Sequence, residues 1–480
     1  MKTLCLGGGN FRFFFSLGTS LAFITCSAFG GGVVSQPTEA ALKAAVASGG
    51  TVTFSFDGVI SLTSPVLINS DTVIDGTGHK VEIYGRGSCR LAEVSQGVSA
   101  TFRKLDLYAG ADRPKPGAQP AADALGGAIL NRGGNVTVVD CFFFGNQAVG
   151  FTPSSSETYT FLQNSSAYGG AIYSEGGSLQ LIHSVFVQSR ATGGSAGQLA
   201  QNGKSGSGGA VAVNGGTLAI QDCTFFSNEA VGGSPADTIT TGGAGLGGAL
   251  FIAGTTVQVN SSVFQNNTAS AAVNSRMGDA SCGGAIWSNG ELHLTDVSVS
   301  SNKCVGFHAP AFGGGICSFG SLELNRSSIA HNLALGSVAA VLDNSVYLNA
   351  FRGEGGGVYQ SGPLTVLNTS FLDNRAQGGM APALIIIAAS NRSGSGLGGG
   401  LYLESGTAEI AFTTFAMNKA LAGAVSFTTQ PMGAALGDDL FNNTAMAGAR
   451  DTIFGSSVSG SVYGGLADIG FNIAVDNSAA

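Results

Sequence analysis

Short bursts of apolar–polar alternation recur along this chain at nearly regular intervals. Val136 and Val138 flank Thr137, Leu179 and Leu181 flank Gln180, Leu218 and Ile220 flank Ala219, and Val257 and Val259 flank Gln258. The series continues with Leu292/Leu294, Leu322/Leu324, Leu364/Val366 and Ala408/Ile410 around His293, Glu323, Thr365 and Glu409. A period of two marks a half-buried strand, because successive side chains point to opposite faces. Each burst is preceded by a glycine-rich opening, from Gly127-Ala128-Ile129 through Gly248-Ala249-Leu250 to Gly399-Gly400-Leu401. Each is followed by a closing motif, from Phe143-x-x-Asn146 through Phe264-x-x-Asn267 to Phe415-x-x-Asn418.

A unit repeated in this way predicts a solenoid, in which each copy buries its apolar face only against its neighbours. Two or three short strands per unit, separated by Gly and Asn turns, are too short to stand alone. Stacked in parallel, they bury aliphatic and Phe columns, and the Asn column is expected inside, bonding along the stack. No six-residue period appears, so the reading is an all-β, single-domain right-handed parallel β-helix. Residues 126–420 form its eight-unit array and residues 51–125 its irregular first coils. Thr38–Ser48, within an N-terminal segment 29–50, reads as a short capping helix stopped by Gly49-Gly50. Residues 421–480 supply the last coils or cap. Long Gly/Ser/Ala/Thr-rich loops, such as Gln147–Gly169 and Arg375–Gly398, leave one corner of the coil, where solenoids carry binding surfaces.

Composition narrows the function. Only 10% of residues are charged and the net charge is −8, so no basic patch exists for nucleic acid or an anionic membrane. Residues 1–28 read as a signal peptide, with Lys2 and Arg12, an apolar core Phe13–Thr25 and a small-residue exit Cys26-Ser27-Ala28. Cys26 also permits acylation, although Phe23-Ile24-Thr25 is a poor acylation box. Later apolar runs such as Ala383–Ala389 are too short to span a membrane. The expected location is therefore extracellular or outer-surface, with no transmembrane anchor. Of the six remaining cysteines, Cys141 and Cys223 lie two coils apart, about 9.6 Å at the strand spacing, too far for a disulfide. Cys304 falls in a column of alanines and reads as a space-filler; Cys282–Cys304 and Cys304–Cys317 bridges stay open.

Phe56-Asp57-Gly58-Val59-Ile60-Ser61-Leu62 and Val73-Ile74-Asp75-Gly76-Thr77-Gly78 resemble the opening coils of the pectin-lyase-like β-helix superfamily. The alternating Gly-Gly-Ala-Ile and Phe-x-x-Asn motifs resemble the repeats of chlamydial polymorphic outer-membrane proteins and related bacterial surface proteins. The resemblance covers about Thr38 to Asn477. It implies a cell-surface context and says little of activity. One departure is the missing translocating β-barrel, whose alternating ten-residue strands are not seen before Ala480.

Three sets of residues carry candidate chemistry. Lyases of the pectate type, by this resemblance, bind calcium through outward acids and use an Arg or Lys base. Asp75, His79, Glu82, Arg86, Arg103, Lys104 and Asp106 place acids and bases in the first coils, yet no trio of acids clusters there. Aligning the units on their closing residue stacks Asp140, His183 and Asp222, an acid/base or metal candidate or a column of turn residues. A further column holds Tyr173, Phe251, Trp287, Tyr359 and Tyr402, aromatic platforms for a sugar or partner or packing under the loops. The favoured expectation is a non-enzymatic adhesin, or a surface protein that contacts carbohydrate or a protein partner. The alternative is a polysaccharide lyase or glycoside hydrolase on the same scaffold. No metal site and no cofactor is called for; calcium would enter only with a lyase. The oligomeric state is not set by the sequence.

Overall fold

The computed structural model describes residues 31–474, apart from 116–121, 154–162, 198–200, 237–239, 273–276, 339–340, 343–345, 348–349, 382–391, 426–430 and 457–459. The expected signal peptide 1–28 and the run Ala383–Ala389 lie outside the described residues. The chain winds into a right-handed parallel β-helix, and the described residues are all-β except for one short helix. The alternating bursts form a middle sheet of 14 strands, the glycine-rich openings an opening sheet of 12, and the Phe motifs a closing sheet of 13. Neighbouring coils pair in register: Leu179, Leu218 and Val257 face one another, as do Ile172, Val211 and Leu250. At about 4.8 Å per rung the middle sheet runs some 60 Å.

The core between these three sheets is built from the alternation. Val136, Val138, Leu179 and Leu181 are buried, and the Phe column stacks face to face, with Phe143–Phe186 at 4.5 Å and Phe225–Phe264 at 4.6 Å. The opening needs glycine for two different reasons. Gly247 sits at φ 61°, in the left-handed region. A Cβ on Gly248 would lie 2.1 Å from the Gly284 carbonyl oxygen of the next coil.

The Asn column is internal. Asn267 Nδ2 donates to the Phe225 carbonyl and to Asn302 Oδ1, both at 3.0 Å, while Asn267 Oδ1 accepts from Asn228 N and Nδ2. The same links run on through Asn302, Asn332 and Asn374 to Asn418. At the far end Asn418 Nδ2 donates to Asp439 Oδ1, a buried carboxylate standing where earlier coils have glycine or alanine. Near the other end Ser189 interrupts the ladder, and its buried hydroxyl has no hydrogen-bond partner.

Two further sheets, of nine strands each, exceed the two or three strands per unit expected from sequence. After each closing residue an outgoing strand such as Arg190–Thr192 leaves the coil, and a two-residue strand such as Gly206–Ser207 returns to the next opening. The two layers face each other through small residues, including Ala148, Ala191, Ala124 and Ala167. They form a thin fin at the base of the loops. Cys304 packs here against Ala311 and Ala334, in the alanine column where it was expected. Pairs of residues with mostly small side chains gave no alternation to read.

The expected capping helix spans Glu39–Val46, with Thr38 as its N-cap accepting from Ala41 N at 3.3 Å. Its Leu42 and Val46 are buried against the first coils. Among the described residues no helix is long and apolar enough to cross a membrane.

Asn267→Ala strands a carbonyl and two buried donors, so a loss of about 3 kcal/mol and a lower thermal midpoint are expected. Ser189→Asn restores the missing rung and should raise the midpoint. Calorimetric melts check both; unchanged midpoints would show that the ladder contributes little.

Candidate functional site

The opening and returning strands bend away from each other at each glycine pair, so their outer side chains meet across a trough. One wall carries Leu130, Tyr173, Ala212, Phe251, Trp287, Cys317, Tyr359, Tyr402 and Phe441, in register from coil to coil. The other carries the residue just before the first glycine of each opening: Leu125, Tyr168, Ser207, Leu246, Cys282, Phe312, Glu354, Leu397 and Leu436. The aromatic column expected from sequence is thus one side of a second apolar core. Phe251 stacks on Trp287 at 4.4 Å, and Tyr359 on Tyr402 at 5.2 Å. Tyr173, Phe251, Tyr359 and Tyr402 are all below 10% exposed, while Trp287 is half-buried. Only edges of these rings are available to a ligand.

The wall is incomplete in one coil, where Ala212 and Ser207 are both small. Beside this break lies a groove of about 680 Å³ lined by Tyr168, Tyr173, Asn214, Phe251, Arg90, Asp112, Asp123, Arg132 and Glu175. Tyr168 leans between its neighbours, 5.9 Å from both Tyr173 and Phe251. Burial raises both tyrosine phenols, while Asn214 hydrogen-bonds to Tyr173. Arg132, Glu175, Asn214 and Ala253 succeed one another along one edge. Arg90 is a brace: it donates to the Leu125 and Gly126 carbonyls and pairs with Glu93 and with Asp112 at 2.8 Å. Of the sequence candidates, the groove takes in Tyr173 and Phe251, with Trp287 stacked behind; Tyr359 and Tyr402 lie farther along the trough. Tyr168 was missed, although the apolar residues before each glycine pair form a legible column. Arg90, Asp112, Asp123 and Glu175 carry no repeat signal, and only the coil geometry gathers them.

The structure does stack Asp140, His183 and Asp222. His183 Nδ1 is 3.6 Å from Asp140 Oδ1 and its Nε2 3.2 Å from Asp222 Oδ2. All three hold a left-handed backbone, at φ 52°, 47° and 53°, as do Ser261, Asp296 and Arg326 below them. The column is therefore the turn between middle and closing sheets, where Asp is well tolerated. Its members are exposed and none lines the groove. The first-coil set is dispersed: Arg103 pairs with Asp75 at 3.6 Å and His79 with Asp57 at 3.2 Å, while Arg86 and Lys104 occupy left-handed turns. Glu82 and Asp106 are neighbours on the closing sheet. Among the described residues no three His, Cys, Asp or Glu side chains are grouped to hold a metal. The six described cysteines are buried and free, so neither the Cys282–Cys304 nor the Cys304–Cys317 bridge is present. Burial pushes Cys141 up to about 12 and Cys223 up to about 11.

No family model matches the chain. No curated protein matches it either. Among solved structures it is similar to the periplasmic alginate epimerase AlgG, at 10% identity and TM-score 0.27, over 88% of this chain and 79% of that one. A PL6 alginate lyase in complex with a trisaccharide shows 11% identity and TM-score 0.27, over 91% and 82% of the two chains. The alginate lyase AlyF-OU02 with G6 shows 11% identity and TM-score 0.29, over 89% and 85%.

Farther along the trough Glu354 is fully buried opposite the Tyr359 wall. Arg352 Nε lies 2.9 Å from one of its oxygens without hydrogen-bond alignment, so neither oxygen is satisfied. Burial pushes this carboxyl up from 4.5 to about 7, with Arg352 opposing and Glu404 reinforcing. The folded chain therefore keeps a proton that the unfolded chain releases. Its stabilising share is full below pH 4.5 and is lost as pH rises through about 7. Glu354→Gln should flatten the fall in stability between mildly acidic and mildly basic pH. Denaturation across that range checks this, and parallel curves for the two proteins would contradict it.

Proposed function

We propose that this is a secreted or cell-surface β-helix that contacts carbohydrate through the groove at Tyr168, Tyr173 and Phe251, without turning it over. The observation that carries this reading is the meeting of aromatic edges with a polar rim in one open groove. Aromatic side chains offer a pyranose ring an apolar surface, while Asn214, Glu175, Asp123 and Arg132 stand where hydroxyls need partners. On this reading the protein serves as an adhesin or as a surface protein that contacts carbohydrate.

The enzymatic reading, a polysaccharide lyase or glycoside hydrolase, is favoured by one feature: Asp112, Asp123, Glu175 and Arg132 face the same groove. Against it, Asp112 is paired with the bracing Arg90 and accepts from Leu125 N at 2.7 Å, which commits it to structure. A general acid or base has to be free to reach the glycosidic oxygen or the sugar C–H.

Titration with a panel of oligosaccharides, followed by calorimetry, tests the binding claim. Tyr173→Ala and Phe251→Ala should each weaken binding by about tenfold to a hundredfold. His183→Ala should leave it unchanged. Binding untouched by both aromatic variants would remove the groove as the site. Release of unsaturated or reducing-end products, with or without calcium, would replace the binding reading by the enzymatic one.

A further inference from the structure

The groove's charges are unevenly matched, and this bears on which carbohydrate it takes. Its two guanidiniums are engaged within the protein: Arg90 pairs with Glu93 and Asp112, and Arg132 with Glu93. Among the described residues, neither Asp123 nor Glu175 has an ion-pair partner. Asp123 accepts a backbone bond from Ser166 N at 2.8 Å, which fixes its position without neutralising it. Its charge is felt at the phenols of both Tyr168 and Tyr173, and that of Glu175 at Tyr173. Two unneutralised carboxylates thus flank the aromatic edges.

The break in the wall beside the groove has a polar residue of its own. Ser207 stands in the returning row between Tyr168 and Leu246, in the coil where Ala212 leaves the opposite wall short. It is 1% exposed, and its hydroxyl has no hydrogen-bond partner.

We propose that the groove selects amino sugars, its ligand being a glycan whose free ammonium groups pair with Asp123 and Glu175 while the pyranose rings lie against Tyr168, Tyr173 and Phe251. The proposal rests on the carbohydrate reading above. A polyuronate would bring its carboxylates toward those of Asp123 and Glu175, with Arg90 committed to Glu93 and Asp112 and Arg132 sharing Glu93. An uncharged glycan would leave the two carboxylates desolvated without a counter-charge. An ammonium removes both penalties. The pairs are near the surface, so two of them together are worth roughly tenfold in affinity, and salt weakens them.

The test compares four hexasaccharides by calorimetry: the glucosamine oligomer, its N-acetylated counterpart, a neutral glucan and an oligogalacturonate. The glucosamine oligomer should bind roughly tenfold tighter than its acetylated form at low salt, with the margin shrinking at high salt. Asp123→Asn with Glu175→Gln should erase the margin between free-amine and acetylated oligomers while keeping the melting midpoint. Equal binding of acetylated and free-amine oligomers overturns the amino-sugar assignment and leaves the carbohydrate reading standing. Preferred binding of the galacturonate, with or without calcium, has the same consequence. Failure of all four to bind overturns both.

Discussion

Every part of this molecule answers to one constraint, the in-register stacking of coils at the strand spacing. Parallel pairing sets each residue directly over its counterpart, so between the three main sheets a position that is apolar in one coil is apolar in the next. The Phe column tolerates Val299 and Ile329 on these terms, and the Asn column tolerates only a hydroxyl at Ser189. Backbone hydrogen bonds provide the stacking, and the Asn amides extend it into the interior, where water cannot substitute for a missing partner. The ladder's end at Asp439 follows the same logic. The carboxylate accepts from Asn418 and from Ser456 N, and burial holds it at about 6.

The same constraint produces the trough. Because the glycine pair recurs at one azimuth, the opening and returning strands diverge along one line, and that line must be filled. Eight of its nine coils fill it with at least one large side chain, and the aromatic ones stack because their neighbours are fixed near 5 Å away. Cys317 has a small side chain as well, but Phe312 and Phe319 cover it by packing against Tyr359 and Trp287. At Ala212 both walls are small and only Tyr168 leans in. The groove is thus a local failure of the filling rule, and local failures of a scaffold rule are where function is expected.

The fold was legible because its signals are periodic. Alternation located the middle sheet, Phe-x-x-Asn the closing sheet and its internal ladder, and Thr38 with Gly49-Gly50 the cap. The fin was not legible, since facing Ala and Gly residues two at a time leave no period. The site was half legible. Tyr173 and Phe251 stood in an aligned column, yet sequence could not say that the column faces a second wall, and so implied more exposed rings than exist. Asp140, His183 and Asp222 stacked as the alignment required, but their left-handed backbone ties them to a turn. Arg90, Asp112, Asp123 and Glu175 come from different coils and unlike positions within them, so nothing short of the wound chain could collect them.

If glycan is contacted at the break in the aromatic wall, the chain carries its own reporter of that contact. Trp287 is the sole tryptophan and stacks on Phe251, which lines the groove. Its emission, and its protection from a soluble quencher, can be followed while the glucosamine, neutral and acidic hexasaccharides are titrated in. A saturable shift with increased protection, lost in Tyr173→Ala, is the predicted result. Glycan binding measured calorimetrically while Trp287 stays unchanged would place the contact elsewhere and contradict the account.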